Sequence, residues 1–172
     1  KSEDIESLAM LEKDNGDVYF VPAFSGLFSP HWDETARGSL FGLTRFSNKS
    51  HLARAVLESV AFQTYELLES MEKDLDTKFD TLKVDGGMVA NNLLMQFQSD
   101  LLDKSIQSQE INEITALGVG VASYLYVMDL PLSSMGNYIT SSKTWNPNMS
   151  NETRINSLES WYKAIEKAKN WL

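Results

Sequence analysis

The sequence contains no cysteine, so disulfides and thiolate metal sites are excluded. It also has no run of about 18 apolar residues, which argues against a membrane-spanning helix. Basic residues are few: 15 Lys and Arg stand against 24 Asp and Glu, giving a formal net charge of −9. A nucleic-acid surface would need clustered Lys and Arg to neutralise phosphates. These absences favour a cytoplasmic protein that binds neither nucleic acid nor membrane.

What is present fits a soluble globular domain. Hydrophobic residues make up 42% and charged residues 23% of the 172 positions, enough to bury a core. The opening stretch "KSEDIESLAM" has no apolar core of the kind found in signal peptides. We therefore interpret residues 1–16 as a linker or helix remnant of a longer protein.

Hydrophobic periodicity predicts alternating strands and helices. Strands are expected over 18–24, 39–46, 81–85 and 105–110, and helices over 48–75, 90–102 and 114–128. Ser50 is the expected N-cap of the first long helix. This alternation predicts an α/β fold with parallel strands and helices packed on the sheet. The strand and helix boundaries predict an α/β core over residues 17–130.

The C-terminal part of the chain, residues 131–172, is predicted to pack on the same domain. Residues 129–150 are rich in turn-forming residues and predict a loop that crosses the surface. The last segment predicts a helix with one apolar side, formed by Trp161, Ile165, Ala168 and Leu172.

The stretch "KVDGGMVANNLLMQF" (83–97) places two glycines between a strand and a helix. Such a junction is where α/β folds bind ligands, because helix-start N–H groups are unpaired and glycine lets a ligand approach the backbone. Asn91 follows Gly87 by about one helical turn, so its amide can face the same crevice. On this dipeptide alone, a tight turn at Gly86 and Gly87 with Asn91 as a local cap is the simpler interpretation. Asp85 is expected to cap the turn.

Longer motifs point to a family. The chain strongly resembles the C-terminal half of glycerol kinases, within the sugar-kinase family that includes gluconate and xylulose kinases. The resemblance lies in "VYFVPAFSGLFSPHWDETARGSLFGLTRFSNKSHLARAVLESVAFQT", "LKVDGGMVANNLLMQFQSDLL" and "INEITALGVGVASYLY", and in the spaced Trp145, Trp161 and Trp171. The chain departs from the family pattern at His31, which replaces an aromatic residue, at Phe46, which replaces a glycine, and after "TALG", where Val119 and Val121 stand in a stretch that is usually rich in small residues.

The resemblance implies a ribonuclease-H-like, actin-like ATPase domain that holds ATP or ADP with Mg²⁺. Matched position by position, Gly87 would lie against the phosphates or ribose, Asn91 would contact adenine, and Gly86 and Met88 would line the pocket. The activity implied is ATP-dependent phosphorylation of glycerol to glycerol 3-phosphate, by a full-length protein expected to be a homo-oligomer.

The resemblance also implies what this chain does not contain. The glycerol-binding residues, the catalytic aspartate and the phosphate loop of the family all lie upstream of Lys1. We therefore expect no catalytic residue and no metal site in this chain, and no activity of the chain alone. Two alternatives stay open at this point: a kinase for another sugar or polyol such as a pentulose or gluconate, and a non-catalytic nucleotide-binding module.

Overall fold

The computed structural model describes residues 4–109, 114–138 and 141–172. Its elements are α1 (Ile5–Ala9), β1 (Tyr19–Val21), β2 (Ser39–Phe41), α2 (Lys49–Leu75), β3 (Thr81–Val84), α3 (Asn92–Leu102), β4 (Ser105–Gln109), α4 (Ile114–Val127), β5 (Ser141–Trp145) and α5 (Asn151–Ala168), with 3₁₀ helices at Gly87–Ala90 and Leu132–Tyr138. Residue 110, the predicted end of the fourth strand, lies outside the described ranges. None of the helices formed by the described residues is long and apolar enough to cross a membrane.

The main sheet has the order β3-β4-β5. β3 and β4 are parallel, as the strand–helix alternation predicted, and α3 connects them. β1 and β2 form a separate antiparallel pair. β2 is shorter than predicted because the chain turns at Gly42, which has a φ of +83°.

The prediction of a surface loop over 129–150 was wrong for its second half. β5 pairs antiparallel with β4, with Trp145 opposite Ile106, and both side chains are buried. The hydroxyl of Ser99 donates to the carbonyl oxygen of Trp145 at 3.1 Å, which ties the end of β5 to α3. The segment "SSKTW" carries a single large apolar side chain, so it lacks the alternation by which strands are recognised.

The start of α2 also differs from the prediction, since the N-cap is Asn48 and not Ser50. The Asn48 side chain accepts hydrogen bonds from the N–H groups of Ser50 and His51, and the His51 ring accepts one from the Asn48 N–H at 3.2 Å. This reciprocal arrangement satisfies three backbone N–H donors at the start of the helix. Ser50 cannot be the cap, because α2 begins at Lys49 and the cap is the non-helical residue that precedes it.

The core forms where α5 packs against β1 and α2. Trp161 is fully buried, and its ring stacks on Phe62 with centroids 4.8 Å apart and planes inclined by 5°. Ile165 and Ala168 are buried beside it, as predicted. Leu172 was wrongly placed on this face: α5 ends at Ala168, and Leu172 is 76% exposed.

The buried carboxyl group of Glu58 makes stability depend on pH. Arg54 Nε donates to Glu58 Oε1 at 2.9 Å, yet burial outweighs this and raises the pKa of Glu58 from 4.5 to about 7. A raised folded-state pKa stabilises the fold below pH 4.5, and that contribution is lost as pH rises through about 7. We expect this group to lower the free energy of unfolding by about 3 kcal/mol between pH 4 and pH 8. Urea unfolding across that range measures it.

The variant Glu58→Gln isolates this effect, because it removes the titrating group and keeps its shape. The difference in unfolding free energy between wild type and Glu58→Gln should therefore change with pH. Glu159→Gln, at an exposed position of α5, serves as the control and should leave the pH profile unchanged. Parallel profiles for wild type and Glu58→Gln would show that Glu58 does not titrate in this range.

Candidate functional site

The double glycine lies at the edge of the sheet where the parallel strands β3 and β4 end. β3 stops at Val84, the 3₁₀ helix Gly87–Ala90 follows, and Asn91 links it to α3. In open α/β sheets this edge is the usual place for ligands. The position predicted for the turn from the sequence is therefore the position found in the fold.

Gly86 and Gly87 are open to the outside of the molecule. Gly86 has φ +93° and ψ 175°, a conformation that side-chain-bearing residues rarely adopt. A Cβ built on either glycine would meet no atom of the described residues within 4 Å. The backbone conformation at position 86 thus requires glycine. At position 87, the absence of a side chain leaves the backbone exposed to open space. Met88, the next residue, is 51% exposed.

The turn presents two adjacent backbone donors. The N–H of Val89 donates to Gly86 O at 3.2 Å, and that of Asn91 donates to Met88 O at 3.0 Å. The N–H groups of Gly87 and Met88 have no acceptor within the described parts of the chain. Successive free N–H groups in a turn form a concave binding surface for anions.

The first turn of α3 differs from the sequence expectation, because its N–H groups are mostly occupied. Asn91 Oδ1 accepts from the Leu94 N–H at 2.8 Å, and Glu6 Oε1 accepts from the Leu93 N–H at 2.9 Å. Among the described residues, the adjacent pair of unoccupied amides at this edge is therefore that of Gly87 and Met88, one turn earlier.

Asn91 caps α3, which is one of the two interpretations that its sequence position allowed, and its amide nitrogen stays available for the other. Its carbonyl oxygen is the helix cap, while its amide nitrogen has no acceptor among the described residues. Oδ1 already accepts one hydrogen bond, whereas both N–H donors of the amide are unused by the described residues, and such donors suit a ring nitrogen of a base.

Asp85 does not cap the turn, contrary to prediction. Its carboxylate is exposed and makes no hydrogen bond with the described residues. The extended ψ of Gly86 directs the chain away, so the N–H two residues after Asp85 does not come back to the carboxylate.

Lys143 and Glu6 border the site, and sequence reasoning did not find either of them. Lys143 Nζ donates to Asn92 Oδ1 and lies 5.0 Å from the centre of the Trp145 ring. The lysine comes from β5, which the sequence predicted as loop, and the glutamate comes from α1, in the predicted linker. Only the register of the sheet and the packing of α1 on α2 bring them to α3.

A second polar contact lies away from this edge. His31 Nε2 and Glu66 Oε1 are 2.7 Å apart and largely buried. Burial raises the pKa of Glu66, and the hydrogen bond to His31 opposes that shift. This pair fastens the loop before β2 to α2, which gives the unusual His31 a structural partner. Within residues 4–109, 114–138 and 141–172, no group of three or more acidic or histidine side chains could hold a metal ion.

The chain is similar to known proteins along nearly its whole length. Residues 1–124 match the model of the FGGY family of carbohydrate kinases, C-terminal domain. The sequence is 47% identical to a glycerol kinase of Brucella anthropi over 99% of the chain and 34% of that protein. It is 49% identical to a glycerol kinase of Nocardia farcinica over 99% of the chain and 35% of that protein.

A solved structure extends the similarity to the fold. The crystal structure of Plasmodium falciparum glycerol kinase with ADP matches with a TM-score of 0.88 at 32% identity, covering 96% of this chain and 33% of that one. The mixed α/β fold is therefore that of the C-terminal domain of these sugar kinases, of the actin-like ATPase type, as the sequence resemblance implied. The chain spans about a third of the length of the relatives it matches.

Proposed function

This chain belongs to the FGGY family of carbohydrate kinases, and from that premise we propose that it is the nucleotide-binding part of a glycerol kinase. The parent enzyme would transfer the γ-phosphoryl group of ATP to glycerol, giving glycerol 3-phosphate. The observation that carries this proposal is the 47% identity to a glycerol kinase over 99% of the chain. A domain without cysteine and with a net charge of −9 suits the cytoplasm, where we place the parent enzyme as a homo-oligomer.

The exposed turn between β3 and α3 is the proposed nucleotide cradle. The free N–H groups of Gly87 and Met88 would bind phosphate or ribose oxygens, and the bare Cα of Gly87 would let them approach. Gly86 supplies the backbone conformation that aims those donors outwards. The free amide N–H groups of Asn91 would donate to a ring nitrogen of adenine.

Mg²⁺ would enter this site as part of the nucleotide. It keeps most of its ligands as water and phosphate oxygens in kinase sites, and it would neutralise charge on the transferred group. The described residues offer it no cluster of carboxylates. This chain would therefore position the nucleotide. The rest of the parent enzyme would supply any protein ligands to the metal, bind glycerol and orient its reacting hydroxyl.

A titration with Mg·ADP tests the cradle. We expect saturable binding by the unchanged chain and loss of at least about tenfold in affinity in Gly87→Val, because the new side chain fills the space above the turn. Asn91→Asp should weaken binding about five- to tenfold, since it removes the amide donors and keeps an oxygen that can cap α3. Calorimetry is the measurement.

Two comparisons make the titration specific. Asn91→Ala removes both the cap and the donors, so it should lose stability as well as affinity, unlike Asn91→Asp. Asn156→Ala, on the exposed side of α5, should change neither. Equal affinities for wild type, Gly87→Val and Asn91→Asp would refute the assignment of the site.

The chain alone is expected to be catalytically inactive. Phosphoryl transfer depends on in-line positioning and on a base that orients the attacking hydroxyl, and the family's acceptor-binding half carries both. An assay of glycerol-dependent ADP release should show no turnover above background with this chain, and normal turnover with a full-length glycerol kinase under the same conditions. Turnover by the purified chain would place the catalytic groups within these 172 residues.

A further inference from the structure

The first turn of α3 is held from two sides by residues far away in the sequence. On one side, Glu6 of α1 accepts the Leu93 N–H at 2.9 Å across 87 positions. On the other, Lys143 of β5 donates to Asn92 Oδ1 across 51 positions. Asn91, whose amide nitrogen has no acceptor among the described residues, lies immediately before these two anchored residues. The turn that follows Asn91 is therefore fixed by two elements distant in sequence, α1 and β5.

Glu6 and Lys143 bring opposite charges to the N-terminus of α3, and the helix dipole favours only one of them. A carboxylate beside a helix N-terminus is favourable, because it meets the positive end of the helix dipole. Glu6 therefore stabilises the turn by its charge as well as by its hydrogen bond. A lysine at the same end is unfavourable with respect to the dipole. Lys143 has no carboxylate partner among the described residues, and its contacts there are Asn92 and the face of Trp145.

The register of the sheet explains why Lys143 reaches this point. Lys143 is paired with Ser108 of β4, and Ser108 is paired with Val84, the last residue of β3. The three residues form one row across the sheet, next to the strand end from which the double-glycine turn leaves. Directly opposed residues on neighbouring strands point to the same face. Lys143 thus lies on the face that α3 covers, beside the start of that helix.

We propose that Glu6 and Lys143 are positioning residues of the nucleotide site. Neither needs to touch the nucleotide: they fix Leu93 and Asn92, and this holds the Asn91 amide in the direction required by the base. The inference rests on the proposed function and adds to it two residues outside the glycine motif. If either contact is lost, the turn is held by the other alone, and Asn91 samples more orientations. Binding then has to fix a more mobile side chain, and the larger loss of conformational entropy lowers the affinity.

Titrations of this chain with Mg·ADP, together with amide hydrogen exchange, test the inference. Glu6→Ala and Lys143→Met should each weaken Mg·ADP binding about three- to tenfold, and Lys143→Arg should restore most of the loss. The Leu93 and Leu94 amides should exchange faster in Glu6→Ala, while the unfolding midpoint changes little. In an Asn91→Asp background, where the amide donors are absent, adding Glu6→Ala or Lys143→Met should weaken binding no further.

Glu166→Ala and Lys169→Met provide a matched pair of controls, because these residues form an ion pair at the C-terminal end of α5, away from the site. Neither should change the affinity for Mg·ADP. Faster exchange at Leu93 without any change in affinity would overturn the inference and leave the proposed function standing. The inference would also be overturned if Glu6→Ala and Lys143→Met weakened Mg·ADP binding as much in the Asn91→Asp background as in the wild type. Failure of the unchanged chain to bind Mg·ADP would count against the proposed function itself, and the positioning role would fall with it.

Discussion

Replacing Gly42 by alanine should remove most of the stability of the domain. Gly42 has φ +83°, and a Cβ at this position would lie 1.8 Å from the carbonyl oxygen of Asp17 and 2.9 Å from its carbonyl carbon. Both atoms belong to backbone, so no side-chain rotation can relieve the overlap. Either β2 or the chain before β1 has to move, which separates the β1–β2 pair from the core. We expect a loss of about 4 kcal/mol or more in the free energy of unfolding.

Urea unfolding followed by circular dichroism measures this loss. Gly118→Ala is the matched control, because a Cβ at Gly118 in α4 meets no described atom within 4 Å. In a helix that substitution should be neutral or stabilising by up to about 1 kcal/mol. A Gly42→Ala protein with a wild-type unfolding midpoint would mean that the close approach of Gly42 to Asp17 does not exist in solution.

Replacing Trp161 by alanine should destabilise the domain by about 3–5 kcal/mol. The indole is fully buried, stacks on Phe62 at 4.8 Å and joins α5 to the α2 side of the core. Its removal leaves a cavity as large as the ring, surrounded by side chains that cannot all collapse into it. Thermal or urea unfolding should show a lower midpoint with an unchanged folded-state spectrum in the far ultraviolet.

Two further substitutions separate stacking from general damage to the last helix. Trp161→Phe keeps an aromatic ring against Phe62 and should cost clearly less than alanine. Trp171→Ala, at a residue that is 65% exposed beyond the end of α5, should have almost no effect. If Trp161→Ala and Trp171→Ala cost the same, α5 does not contribute to the core in the way the structure indicates.

The parts of the fold that could be predicted from sequence are those with local signals. The long helix α2 and the β3–α3–β4 unit have hydrophobic periodicity and marked ends, and they were predicted to within a few residues. β5 has no such signal, since its pairing with β4 is decided by a distant partner and by one buried tryptophan. The cap of α2 was misplaced by two residues because Asn48 and Ser50 are both good capping residues, and the choice depends on which residue precedes the first helical one.

The residues of the candidate site also fall into two groups, those that a local motif predicts and those that only tertiary packing brings together. Gly86, Gly87 and Asn91 lie in one continuous motif, so their grouping at a strand end was predictable, and their binding roles stay a prediction. Glu6 and Lys143 reach the same turn through tertiary packing alone. The domain boundaries at 17 and 131 also stay a prediction, although α1 and β5 both contact the central elements.

The packing of α5 against β1 has a consequence for the newly made protein. The core joins residues near the start of the chain, such as Tyr19 and Val21, to Trp161 and Ile165 near its end. A ribosome adds roughly 5–20 residues per second. The apolar faces of β1 and α2 therefore stay uncovered for on the order of ten seconds before α5 has been synthesised. During that interval Phe62 has no indole to cover it, and the nascent chain is the form that chaperones would bind. The synthesis of α5 thus sets the time at which this core becomes covered.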